Sequence, residues 1–405
     1  MKSGQFSFSR AGDDKLEDSA PTGSAEPPPL GPPEPRSPRG LALGGAALAL
    51  VLFIMVGGSV QFLNAAFGIW FTEIFIFLAL AWLLPRVGGW KPARYTGFTP
   101  VPRAATGFGF LLGVANFFAL VVPIQFIAQK IAPEWLKEMV DGARLFEQQT
   151  PVELAIILTG VTLAAPVCEE LFFRGIFQKG ITPNPPESPI RALVVSAVVF
   201  SAFHLDPVGF TARVELGLLF GWLYLRTGSV WPGIGAHAAN NLVSSVLFLA
   251  AKAAGSESDD ADTSIQAVVG LAGLGWLALW GLFTFARRRP SLWGPEPVHG
   301  DENARETRPV PPLTKLLLPW VVAATVSLVL LVVVDRRGLA LRFYDAANPL
   351  TPLKKDAAPG LQAERKALDS LREEARRGDV PLEAYQQERL RQAREHKRAD
   401  PRNGP

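Results

Sequence analysis

The sequence predicts an all-α, polytopic membrane helix bundle of eight or nine transmembrane helices, with a disordered amino-terminal arm and a small helical carboxy-terminal tail. Three observations lead there. Hydrophobic residues make up 48% of the 405 positions and charged residues only 19%, a balance too apolar for a soluble chain of this length. Apolar runs long enough to cross a bilayer follow one another through the middle of the chain. Polarity is gathered at the two ends.

Residues 1–39 are rich in Pro, Ser, Gly and charge, with no apolar face to bury and no apolar segment suited to a cleaved leader, so a cytoplasmic disordered arm is expected. Nine runs then read as spans: Leu41 to Leu63, Ala66 to Leu84, Thr106 to Ala128, Val152 to Phe177, Ile190 to Phe203, Ala212 to Leu225, Val230 to Ala251, Ile265 to Ala286 and Leu313 to Val334. The fifth and sixth are short, as suits helices bordered by other helices and a polar interior instead of lipid. Residues 40–150 and 252–335 form amino- and carboxy-terminal groups of spans around a central block, 151–251.

Arg36 and Arg39 precede the first span, Arg86, Lys91, Arg94 and Arg103 fill the loop after the second, and Arg287 to Arg289 end the eighth, while the loop before that span is acidic. Basic loops stay inside, so the amino terminus is expected in the cytoplasm, and continuing the count puts the tail outside. After Arg336 two thin amphipathic stripes, Leu361, Leu368, Leu371, Ala375 and then Leu382, Tyr385, Leu390, flank Gly378 to Pro381. That pattern is a helical hairpin within the tail 336–405. It resembles SHOCT-type carboxy-terminal modules and suits a protein partner or a second copy.

A net charge of +3 with no basic patch sets nucleic acid aside, and a lone Cys168 excludes an intrachain disulfide. Chemistry is concentrated in the central block. Glu170 and Arg174 lie i,i+4 with the acid first, the arrangement that best supports an ion pair. Glu169 is rotated about 100° from Glu170 and is left to face something else. His204 shares that spacing with Phe200, as His237 does with Asn241, while His299 and His396 fall in polar segments. Any one of these groups could be interhelical glue contributing about 1 kcal/mol. A carboxylate, two imidazoles and a carboxamide on three successive helices point instead to a site, because ionisable groups inside a membrane mark function. Cys168 reads as packing, and Glu73 and Glu215 are intramembrane acids without a specific role.

The motifs "EELFFR" (Glu169, Glu170, Arg174), "FSAFH" (Phe200, His204) and "HAANN" (His237, Asn241) resemble EExxxR, FxxxH and HxxxN of the CPBP family, the CAAX-protease and bacteriocin-processing intramembrane endopeptidases, in order, spacing and placement. The resemblance implies a helical peptidase core at 151–251 in which Glu169 and His204 activate water, His237 and Asn241 hold the oxyanion, and Glu170, Arg174 and Phe200 support the site. The substrate would be a membrane-associated protein or peptide met in the lipid bilayer, and the chain's composition suggests a bacterial cytoplasmic membrane. No cofactor is then required. A zinc version with Glu169, His204 and His237 as ligands and water as the fourth stays open, although HExxH is absent. A transporter or a noncatalytic scaffold or immunity protein would be the competing classes; neither paired internal repeats nor serine or aspartate intramembrane-protease motifs are found.

Overall fold

The computed structural model describes residues 38–140, 150–182, 189–253, 264–294, 305–306, 308–350 and 358–399. The arm up to residue 37, most of the acidic loop before the eighth span, His299 and the side chain of His396 lie outside the described residues. Each of the nine runs is helical: α1 Pro38–Leu63, α2 Ala65–Val87, α3 Arg103–Ile131, α4 Pro151–Ile181, α5 Ile190–Ala202, α6 Phe210–Thr227, α7 Trp231–Ala253, α8 Ile265–Arg287 and α9 Leu313–Val334. Seven are long and apolar enough to cross a membrane, whereas α5 is an apolar helix of only 13 residues and α6 carries Arg213, Glu215 and Arg226. The sixth run, expected to be short, extends to 18 residues in α6, while α5 is short and packs on α6 with Val194, Val195 and Val198 exposed.

Close helix crossings are made by small residues, which let backbones meet where apolar burial alone gives no drive in lipid. On α3, Gly109 and Gly113 sit against the carbonyls of Pro232 and Ala236 on α7, where an added Cβ would come within 2.2 and 2.3 Å. Gly275 of α8 meets Ala119 of α3 in the same way, and Gly217 of α6 meets Ala197 of α5. The α3–α7 contact matters most, because it fixes the helix that carries His237 and Asn241.

Several spans contain a π-helical turn, in which hydrogen bonds run i to i+5. Two of these, Phe117–Val121 in α3 and Gly160–Ala164 in α4, end two residues before a proline, Pro123 and Pro166. A proline offers no N–H and its ring crowds the carbonyl four residues back, so the backbone widens on its amino-terminal side. In α4 the consequence is a buried-side carbonyl without its helical partner, and the site makes use of it.

Beyond α9 the chain forms α10 Arg336–Ala347, α11 Pro359–Arg377 and α12 Leu382–Ala399. The hairpin α11–α12 turns at Gly378, whose φ of 93° only glycine adopts without strain. The helix α10 was not expected; its Leu341 joins Leu368, Ala375 and Tyr385 in a separate small core. Asp345 of α10 is the polar hub, accepting from Tyr385 Oη at 2.6 Å and Arg372 Nε at 2.8 Å. Arg376 ties this module to the bundle. Arg376 Nη2 donates to Asp335 Oδ2 at 2.8 Å, at the end of α9, and to Glu153 Oε1 at 2.6 Å, in the first turn of α4. Asp335 also accepts from Asn64 Nδ2 at 2.9 Å, between α1 and α2, and Glu153 closes a capping box with Thr150.

Burial opposes the Arg376 charge, yet the hydrogen bonds to Asp335 and Glu153 outweigh it and hold the guanidinium pKa above its ordinary value. Removing it leaves two acids side by side. Arg376→Ala should therefore destabilise tail docking by about 1–3 kcal/mol, read as faster limited proteolysis within 359–399 at unchanged bundle melting. Unaltered proteolysis would show that the small core alone seats the module.

Candidate active site

The site is assembled on α4, where Glu170, Arg174 and Gln178 run along one side toward α6. Arg174 Nη1 donates to Glu170 Oε1 at 2.9 Å and Nη2 to the carbonyl of Gly217 at 3.2 Å, while Gln178 Nε2 donates to the carbonyl of Gly221 at 3.0 Å. Gly217 and Gly221 are one turn apart on α6, so two side chains of α4 bond to two successive backbone carbonyls. The approach depends on glycine, since a Cβ at Gly221 would lie 2.5 Å from Gln178 Oε1. Phe200 and Phe220 cover the guanidinium, their ring centroids 4.5 and 5.2 Å from Cζ. An arginine with no exposure is thereby compensated by a carboxylate, a carbonyl and two aromatic faces.

Helix α7 brings His237 to the same carboxylate. Its Nδ1 is 3.1 Å from Glu170 Oε1, its Nε2 is 4.0 Å from Glu169 Oε2, and its ring stacks on Phe220 at 4.8 Å with 18° between planes. Because an ionised carboxylate only accepts, Nδ1 carries a hydrogen and Nε2 is the atom turned toward Glu169. Gly233, one turn earlier on α7, leaves room for Glu170 Oε2, which a Cβ there would meet at 3.0 Å. Glu170 is fully buried between Arg174 and His237. Glu169 keeps 9% exposure and accepts no hydrogen bond through Oε2.

Asn241 lies further along α7. Its Nδ2 donates to the carbonyl of Val161 at 2.8 Å. Val161 stands five residues before Pro166, so in the π register its carbonyl has no N–H to meet, and the carboxamide supplies the missing donor. One N–H of Asn241 is used in this way and the other remains. His204 follows α5 on the exposed loop to α6, its Nδ1 3.0 Å from the carbonyl of Phe200, which leaves Nε2 as an acceptor. The loop is shaped by Leu205, at φ 52° in the left-handed region, and by Asp206, which accepts from Val208 N and Gly209 N and pairs with Arg213 at 2.7 Å.

Spacing along the sequence linked His237 only to Asn241 and Glu170 only to Arg174, whereas the fold joins His237 to Glu170. His204 is bonded to Phe200 instead of Glu169. Further polar residues lie in the interior beside those of the motifs. They are Gln178, Asn240, whose Nδ2 donates to Asn241 Oδ1 at 3.1 Å, and Glu73, buried on the π turn of α2 that packs on Ala165–Phe172. Glu215 accepts from Asn116 of α3 at 2.8 Å, and Cys168 packs in the aromatic core with Phe77 and Phe172.

No curated protein and no solved structure matches the chain. Residues 151–243 match the family described as type II CAAX prenyl endopeptidase Rce1-like, a segment that runs from the start of α4 to just beyond Asn241 and holds the three motifs. The segment 151–243 of this helical membrane protein therefore belongs to the CAAX-protease (CPBP) family.

Proposed function

We propose that the chain is an intramembrane endopeptidase in which Glu169 is the general base for attack of water on a peptide bond of a membrane-associated protein. The observation carrying this reading is the division between adjacent carboxylates. Both carboxylates keep an unbonded Oε2, but Glu170 Oε1 accepts from Arg174 and His237 and the group is wholly closed off, while Glu169 is bound by neither and keeps 9% exposure. A carboxylate in that condition can receive a proton. Glu169 takes one proton from water, the water oxygen bonds to the carbonyl carbon, and the C=O π pair moves onto oxygen. The second N–H of Asn241, and Nε2 of His237 when the ring carries both protons, are the donors for that oxyanion, each worth about 3–4 kcal/mol. Collapse re-forms the carbonyl, breaks the C–N bond and passes the proton from Glu169 to the leaving amine. His204, with Nε2 free, is assigned the far side of the water.

A zinc version would need Glu169, His204 and His237 to converge. Among the described residues no three His, Cys, Asp or Glu side chains do so, and no step is routed through a metal. The contacts also bear on orientation. The start of α1 touches the end of α4 through Pro38 and Gly180, and Arg376 joins the start of α4 to the end of α9. The loops that continue from the α1-start end hold Arg86, Lys91, Arg94, Arg103 and Arg287 to Arg289, which supports an amino terminus in the cytoplasm and a tail on the other side.

Two variants test the division of labour against a panel of quenched-fluorescence peptides that includes a farnesylated CAAX peptide. Glu169→Gln keeps shape and loses the base, so it should melt like the wild type with turnover down about 10²–10⁴-fold. Glu170→Gln keeps one carbonyl oxygen but removes the negative charge that compensates the buried guanidinium, and should lose about 3–5 kcal/mol of stability. A stable, inactive Glu170→Gln beside an unfolded Glu169→Gln would reverse the assignment, and an indifferent Glu169→Gln would favour a scaffold. Cleavage in detergent should also survive strong chelators. Rescue of a chelated, inactive enzyme by stoichiometric zinc would instead establish the metal.

A further inference from the structure

Asn240 stands beside the proposed oxyanion donor and belongs to none of the three motifs. It shares a face of α7 with His237 and Asn241, at i+3 and i+4 from the imidazole, and is buried to 8% exposure. The orientation of both carboxamides follows from fixed chemistry. Val161 presents a carbonyl, which only accepts, so the Asn241 atom 2.8 Å away is Nδ2 and its Oδ1 lies on the opposite side. The Asn240 atom 3.1 Å from that oxygen must then be a donor, Nδ2. This leaves Asn240 Oδ1 buried with no partner.

A buried carbonyl without a donor is a cost that an apolar side chain of the same volume would avoid. The single bond Asn240 makes is therefore its contribution. We infer that Asn240 is a positioning residue, clamping the Asn241 carboxamide from its oxygen side while Val161 clamps the nitrogen side, so that the remaining N–H keeps one direction. The inference rests on the peptidase reading, in which that N–H meets the oxyanion. An oxyanion donor acts by being oriented before charge develops, and a carboxamide held at one atom can pivot about that bond. Held at both atoms, it cannot.

The test compares Asn240→Leu, Asn241→Ala and Glu169→Gln in full-length protein, on the peptide of the panel that the wild type cleaves fastest, with a phosphinic peptide of the same sequence as a mimic of the tetrahedral intermediate. Asn240→Leu should lower kcat about 10-fold to 100-fold with KM little changed, and weaken the phosphinic peptide by the same factor. Melting should be unaffected or raised, since an unpaired carbonyl is removed. Asn240→Ser, which restores a donor in a smaller side chain, should recover part of kcat. Three outcomes overturn the assignment: unchanged kcat in Asn240→Leu, a loss of kcat without loss of phosphinic affinity, or a loss that follows melting alone. If Asn241→Ala and Glu169→Gln also keep wild-type rates, the peptidase reading fails with it; if those two are inactive while Asn240→Leu is not, only the positioning role fails.

Discussion

The ion pair between Glu170 and Arg174, both wholly removed from solvent, governs the rest of the structure. A guanidinium inside a hydrocarbon-surrounded bundle needs compensation, and each group that Arg174 recruits fixes another helix. Its second nitrogen fixes α6 through Gly217, its flat faces fix Phe200 of α5 and Phe220 of α6, and its carboxylate partner fixes His237 of α7. Four helices are thus set around one charge. Glu169 stands apart from this arrangement, because Arg174 Nη1 and His237 Nδ1 are both bound by its neighbour.

Glycine is the condition under which that network closes. Gln178 of α4 reaches the carbonyl of Gly221 because that residue has no Cβ, Gly217 lets α5 close onto α6 at Ala197, and Glu170 fits beside α7 at Gly233. The same device at Gly109 and Gly113 presses α3 onto α7 and holds the helix of His237, Asn240 and Asn241 against the opposite side. Site and scaffold therefore share one packing rule, close approach of backbones with polar groups as the adhesive.

Much of this was legible from spacing. Glu170 and Arg174 at i,i+4 gave their pairing, and the nine apolar runs gave the helices, although the sixth is longer than its apolar run because it continues through polar residues such as Arg226. What spacing does not hold is the distance between helices. Nothing within "HAANN" tells that His237 hangs on Glu170, or that Asn241 answers a carbonyl freed by Pro166. Gln178, one turn beyond Arg174, continues the same side of α4, but only the fold shows that it bonds to the carbonyl of Gly221. The helix α10 has no core partner in its own sequence, and Leu341 becomes core only once Leu368, Ala375 and Tyr385 of α11 and α12 cover it.

The tether through Arg376 has a consequence for the order of assembly. Its partners are separated by almost two hundred residues, and Arg376 itself is synthesised after the last span. Until then Glu153 keeps its capping-box bonds with Thr150, Asp335 keeps the amide of Asn64, and the two acids lack their common cation. The bond forms only when the start of α4, the end of α9 and the tail lie at the same end of the bundle, so it is a late event, made at the start of the helix that bears both glutamates.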